Sequence, residues 1–199
     1  SFVFPEVGVI TKLKEISGIN RIWGYANANM EKNINSYYGL YSPGGYDALF
    51  PRKYGELLYT SETGGEIASQ IPRCDANLEY ASERDVVLRV SYRKKLLSLL
   101  GVKYIMEAKT GEGKSWLTSQ QRFPKQFFQL VWEDKKFRIW EYKKALPRAF
   151  LVDDYHVETD KQKIADYLFD KNFDLSRRIV LEEKPDLKID KEKGPQEFD

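Results

Sequence analysis

The sequence predicts an α+β fold, a mixed and largely antiparallel sheet with helices packed on one side. Three observations carry this. FFQLVWE and FRIWEYK flank Asp134-Lys135-Lys136, close enough to pair as an antiparallel hairpin of β-branched and aromatic residues. Val86, Val90, Leu97 and Leu100 recur at helical spacing until Gly101, and Ser82 followed by Asp85 resembles a capping box ahead of them. Along the chain the segments read β, α, β, β, β, β, α, β, which points to a sheet with helices on one face.

Taken in order, VGVITKLKEI (7–16) places Val9, Leu13 and Ile16 at helical spacing before Gly18, a helix stop. INRIWGY follows as a strand. Arg52 to Tyr59 forms a short helix, and 60–81, with Gly64-Gly65 and Pro72, is expected to be loop. The 82–100 helix leads into VKYIMEA, a buried strand, and then Lys109 to Lys125 reads as loop. After the hairpin, RAFLVDDYHVE makes a strand, 160–172 a helix with Ile164, Tyr167 and Leu168 on one face, and Arg178 to Glu182 a last strand. Residues 1–183 are expected to form one domain. The run KPDLKIDKEKGPQEFD (184–199) is charged and core-poor, a linker or the start of a following domain.

Composition narrows the function classes. In 199 residues, hydrophobic types make up 42%, charged types 31%, and the net charge is +2, so no field of one sign is implied. Basic doublets such as Lys94-Lys95 and Arg177-Arg178 are scattered rather than gathered in one stripe, which argues against a nucleic-acid partner. With one cysteine, Cys74, and one histidine, His156, neither an internal disulfide nor a Cys/His zinc site can form. No metal site and no cofactor is assigned, and carboxylate-bound calcium or magnesium stays open. No run approaches 18 apolar residues, and the start at Ser1 is read as the beginning of an excised piece of something larger.

Motifs of catalysis are weak. Thr110 to Ser115 ends in GKS like a phosphate loop, but Ala108 stands where the pattern wants glycine and no helix pattern follows. His156 beside Asp153 and Asp154 has no nucleophile marked near it. Carboxylate pairs such as Asp153/Asp154 or Glu182/Glu183 would suit glycoside hydrolysis only if two faced each other across a cleft, and among 30 acidic residues chance pairs are expected. No catalytic residue is assigned. More informative is Asn33 to Tyr54, NINSYYGLYSPGGYDALFPRKY, where five tyrosines surround a Pro43-Gly44-Gly45 turn. The glycines allow backbone angles closed to other residues, expected as a positive φ at Gly44 or Gly45, and tyrosines offer a ring face and a hydroxyl. That suits a polar, ring-shaped ligand, and it also suits a packed irregular loop. Asp47 lies five residues from Arg52, within reach for a charge-assisted hydrogen bond.

Several blocks in fixed order carry a family resemblance. They are Arg21-Ile22-Trp23-Gly24, then Asn33, Tyr38-Gly39 and Gly45-Tyr46-Asp47-Ala48-Leu49 with Arg52 and Tyr54, then Leu99 to Ile105, Ala145 to Phe150, and Phe173-Asp174 with Ile179 to Glu182. Over roughly residues 10–183 the chain resembles the extracytoplasmic part of YfhO-type bacterial membrane proteins, relatives of the C-type glycosyltransferases. The resemblance implies a parent with many membrane helices, a polyprenyl-phosphate sugar as donor, and acidic residues between those helices as the catalytic groups, none of which lies in this chain. It implies a place on the extracytoplasmic face of a bacterial membrane, with the membrane-embedded part of the same parent as partner. The expected role is non-catalytic, binding or positioning a cell-envelope glycan or lipid-linked sugar, with Trp23, Asn33, Tyr38, Tyr46, Asp47 and Arg52 as the candidate contacts. A free-standing carboxylate-based glycosidase and a purely structural packing domain are the alternatives.

Overall fold

The computed structural model describes residues 6–30, 33–44, 50–69, 78, 83–109 and 118–186, with only the backbone of 83–90. The described elements are, in order, α1 (Gly8–Ser17), β1 (Arg21–Tyr25), α2 (Ile34–Tyr37), α3 (Arg52–Thr63), α4 (Glu83–Leu99), β2 (Val102–Ala108), α5 (Ser119–Arg122), β3 (Phe128–Glu133), β4 (Phe137–Tyr142), β5 (Asp154–Val157), α6 (Lys161–Phe169) and β6 (Arg178–Leu181). The architecture is α+β, with six α-helices among the described residues and a mixed, mostly antiparallel four-stranded sheet. By contact density the chain divides into two units, Ser1–Tyr46 with Asp75–Glu79 and Leu100–Ala145, and Asp47–Cys74 with Tyr80–Leu99 and Leu146–Asp199.

The first unit holds the sheet, in the order β1-β2-β4-β3. β1 runs parallel to β2, and β2, β4 and β3 are antiparallel neighbours. Because side chains alternate across a strand, the register sorts the residues onto two faces. Ile22, Tyr104, Met106 and Ile139 lie on one face and join Val9, Ile10 and Leu13 of α1 in a buried cluster. Leu13 and Ile139 are wholly buried, and each such side chain stabilises by roughly 1.5–3 kcal/mol. α1 stops where the sequence said it would, at Gly18 with φ 50°. The opposite face carries the row Trp23, Ile105, Trp140, Leu130 across all four strands, with Glu107 and Arg138 paired beside it.

In the second unit α3 packs on α4, and α3 ends on Gly64 at φ 79°, whose N–H donates to the Thr60 carbonyl at 3.1 Å. Tyr92 of α4 stacks on Phe169 of α6 with centroids 4.7 Å apart, and Lys95 donates to the Phe173 carbonyl. The last two strands do not join the main sheet. β5 and β6 pair with each other in parallel, with α6 as the connection between them, because a parallel pair requires such a crossover. On α6 the buried positions are Ala165 and Phe169, whereas Tyr167 is 36% exposed and closes over His156 at 4.3 Å.

Candidate functional site

Two places in the first unit combine exposure with chemistry, and both are built on the sheet. The first is the tyrosine-rich run 33–44. Asn33 takes φ 68°, a left-handed conformation that asparagine tolerates, and turns the chain into the single turn of α2. Leu40 drops into the α1 core and Tyr38 packs partly buried against it. The Ile22 N–H of β1 donates to the Tyr41 carbonyl at 2.8 Å, so the run is clamped to the sheet edge. What remains outward is aromatic. Tyr37 is 64% exposed and Tyr41 48%, with the Tyr37 ring edge-on to Tyr38 at 5.3 Å.

Beneath this run lies an unusual donor. Trp23 is wholly buried, and its indole Nε1–H has no hydrogen-bond partner among the described residues. A carbon placed on Gly44 would stand 3.9 Å from that nitrogen, 3.4 Å from Ser42 Oγ and 3.8 Å from Asn29 Oδ1. Ser42 Oγ accepts the Gly44 N–H at 3.0 Å. Buried donors are nearly always paired, so the indole is a local cost held in place by the packing around it.

The second place is the β3 side of the face opposite α1. Phe123 is the hub: it stacks on Trp140 (5.1 Å) and meets Phe128 and Tyr25 edge-on, each at 5.4 Å. Trp140 Nε1–H donates to Glu107 Oε2 at 2.8 Å. Glu107 is the one buried acid among the described residues, and its carboxylate also accepts from the Ser119 hydroxyl and from two guanidinium N–H groups of Arg122, with Arg138 Nη1 at 3.7 Å. The helix bringing Ser119 and Arg122 there is set by Thr118, whose hydroxyl accepts the Gln121 N–H while Gln121 Oε1 accepts the Thr118 N–H. Over this cluster opens a depression of about 350 Å³, floored by Phe123, Phe128 and Trp140, walled by Leu130 and rimmed by Lys125 and Lys143.

The residues expected from sequence are distributed unevenly. Asn33 and Tyr38 belong to the clamped run of the first unit, and Trp23, on the sheet face opposite α1, lies near the Gly44 end of that run. Tyr46 and Asp47 lie outside the described residues, as do Gly45 and the GKS segment. Gly44 is not among the glycines at positive φ. Arg52 begins α3 in the second unit, where its 71%-exposed side chain donates to Glu56 Oε1 at 2.9 Å; Glu56 also accepts from Lys161 Nζ at 2.7 Å. The two cations, Lys161 foremost, hold the Glu56 carboxyl below its usual range. The second unit has a depression of about 310 Å³, bordered by Asp154, Asp174, Arg177 and Arg178. There Asp154 pairs with Arg178, and Asp174, lowered by hydrogen bonds from Ser176, is likewise engaged. No group of three or more His, Cys, Asp or Glu side chains among the described residues is placed to hold a metal ion.

The Glu107 cluster and its depression escaped the sequence reading. VKYIMEA looks like a buried strand interrupted by Lys103 and Glu107, and the Thr118-x-x-Gln121 capping signal was the available clue to the helix that supplies the partners of Glu107. Comparison with known proteins adds no family: no family model, no curated protein and no solved structure matches the chain. No described helix is long and apolar enough to cross a membrane.

Proposed function

We propose that this chain is a non-catalytic, ligand-positioning domain of a membrane glycosyltransferase-like protein, acting on the extracytoplasmic face of a bacterial membrane. It binds a cell-envelope glycan or the sugar of a polyprenyl-linked donor and works beside the membrane-embedded part of the same parent chain. The family and the location rest on the sequence resemblance. The observation that supports ligand binding is the clamped run 33–44, which holds the rings of Tyr37 and Tyr41 outward at 64% and 48% exposure. Folding normally buries large aromatics, and exposed rings fixed by backbone bonds are pre-organised to stack on the apolar face of a sugar ring at small entropic cost. Asn33 and Ser42 add an amide and a hydroxyl within the same run.

A hydrolytic role finds no support in the buried acid. Glu107 already accepts from Ser119, Arg122 and Trp140, which leaves it tied to structure rather than poised for proton transfer. A glycan array followed by titration tests the reading. Saturable binding is expected, weakened about tenfold by Tyr37→Ala or Tyr41→Ala, a loss of about 1.4 kcal/mol, with no turnover of any glycoside. Retention of no glycan at all would leave a structural packing domain, and turnover abolished by a single carboxylate substitution would make the chain an enzyme.

A further inference from the structure

We propose that the depression at the β3 edge is a second binding site, for a small apolar anion: a ring or short acyl chain bearing a carboxylate. Its floor is built and rigid. Phe123 lies between Trp140 and the edges of Phe128 and Tyr25, and the only polar group of that floor, the Trp140 N–H, is consumed by Glu107. An occupant therefore meets hydrocarbon below it. Leu130, 39% exposed on this face, extends the apolar wall outward.

The rim has the opposite character. Lys125 and Lys143 stand on it, and among the described residues no acidic side chain lines the depression, whose other polar lining is the amides of Gln120 and Gln129. Lys143 Nζ donates to the Lys125 carbonyl at 3.0 Å, which pins one ammonium at the mouth with donors to spare. The nearest buried negative charge, Glu107, is matched by Arg122 and so does not repel an incoming anion. A volume of about 350 Å³ falls within the range of small-molecule pockets, and an apolar body with a few convergent polar groups is how such pockets are lined. Apolar floor plus cationic rim selects an amphiphilic anion over both a neutral lipid and a simple ion.

The full chain titrated with 8-anilinonaphthalene-1-sulfonate, and separately with neutral N-phenyl-1-naphthylamine, tests this. Both are expected to bind, and decanoate is expected to displace the sulfonate dye at concentrations where 1-decanol does not. Lys125→Glu, and Lys125→Glu with Lys143→Glu, should weaken the anionic dye by about tenfold or more while moving the neutral dye less than about twofold, since opposite charge at the rim acts only on the charged probe. Leu130→Asp should weaken both. Far-ultraviolet spectra and melting temperatures of the exposed-lysine variants serve as the folding control, and Lys125→Glu alone leaves the Lys143 bond to the backbone intact. Equal displacement by decanoate and decanol, unchanged dye affinity in the charge-reversal variants, or the absence of saturable binding would each overturn the proposal.

Discussion

The tyrosine run and the β3-edge depression sit on one four-stranded sheet, yet they are made in opposite ways. Residues 33–44 are contiguous, and their character follows from composition: three tyrosines, two asparagines and a Pro-Gly turn would draw attention on any scaffold. The depression draws its residues from four places, the α5 helix, the turn after it, β3 and the β4 end, and exists because register sets Leu130 beside Trp140 and stacking sets Phe123 against it. One carries unspent hydrogen-bonding capacity, in the Trp23 N–H beneath it. In the other, the floor's indole N–H is spent on Glu107. A site of consecutive residues can be read from a sequence, whereas one assembled by register is visible only once the strands are paired.

The largest effect is expected from Glu107→Ala. It strips Arg122, with its side chain 5% exposed, of its buried counter-charge, and leaving a buried charge unpaired costs about 3–5 kcal/mol. Urea unfolding should show that loss, and dye binding at the depression should vanish at protein concentrations where glycan binding of the folded fraction persists. A loss below about 1 kcal/mol would mean that the aromatic stack, not the charge cluster, holds this face together. Next comes Gly24→Ala, on the tyrosine side. The added carbon would sit 2.2 Å from the Ala28 carbonyl oxygen and 2.4 Å from Asn29 Cα, both backbone, so the chain must shift, at about 1–3 kcal/mol. Thermal melts check it, and a neutral result would show that the 26–29 turn yields easily.

Tyr37→Ala and Tyr41→Ala should change stability by no more than about 0.5 kcal/mol, as exposed positions do, while glycan affinity falls. A matching fall in melting temperature would reassign the rings to packing. The smallest effect belongs to Glu56 in the second unit. Its carboxyl is depressed by Lys161 and Arg52 from the usual 4.5, so it contributes stability that is present above that value and lost as pH falls through the lower folded-state value. Wild type should therefore lose about 0.5 kcal/mol more than Glu56→Gln between neutral pH and pH 3, in line with exposed pairs. Parallel curves for the two proteins would remove the pair from the account.

Much of the fold was legible. Helix α1 and its Gly18 stop, strand β2 and the β3-β4 hairpin announce themselves by period and punctuation, because local rules decide them. The one-turn helices α2 and α5 were missed, since four residues show no periodicity and are fixed by what they touch: Leu40 anchors the first, Glu107 the second. The strand expected from RAFLVDDYHVE shrank to Asp154–Val157, and its parallel pairing with β6 is a long-range choice that no local pattern records. Helix α3 ran on to Thr63 into what read as loop, with Gly64 as its stop. Of the candidate contacts, Trp23 is wholly buried, which Arg-Ile-Trp-Gly does not reveal; helical geometry sets Glu56 beside Arg52 four residues on, while Asp47, the partner that spacing suggests, lies outside the described residues.

Whether the clamped tyrosine rings bind sugar is decided by titrating the best ligand from a glycan array into wild type and into the Tyr37→Ala/Tyr41→Ala double variant, with melting temperatures measured on the same samples. Saturable wild-type binding is expected, with a loss of about a hundredfold in the double variant if the two rings act independently, and melting temperatures that coincide. Equal affinities in the two proteins, at equal melting temperature, would contradict sugar binding by these rings.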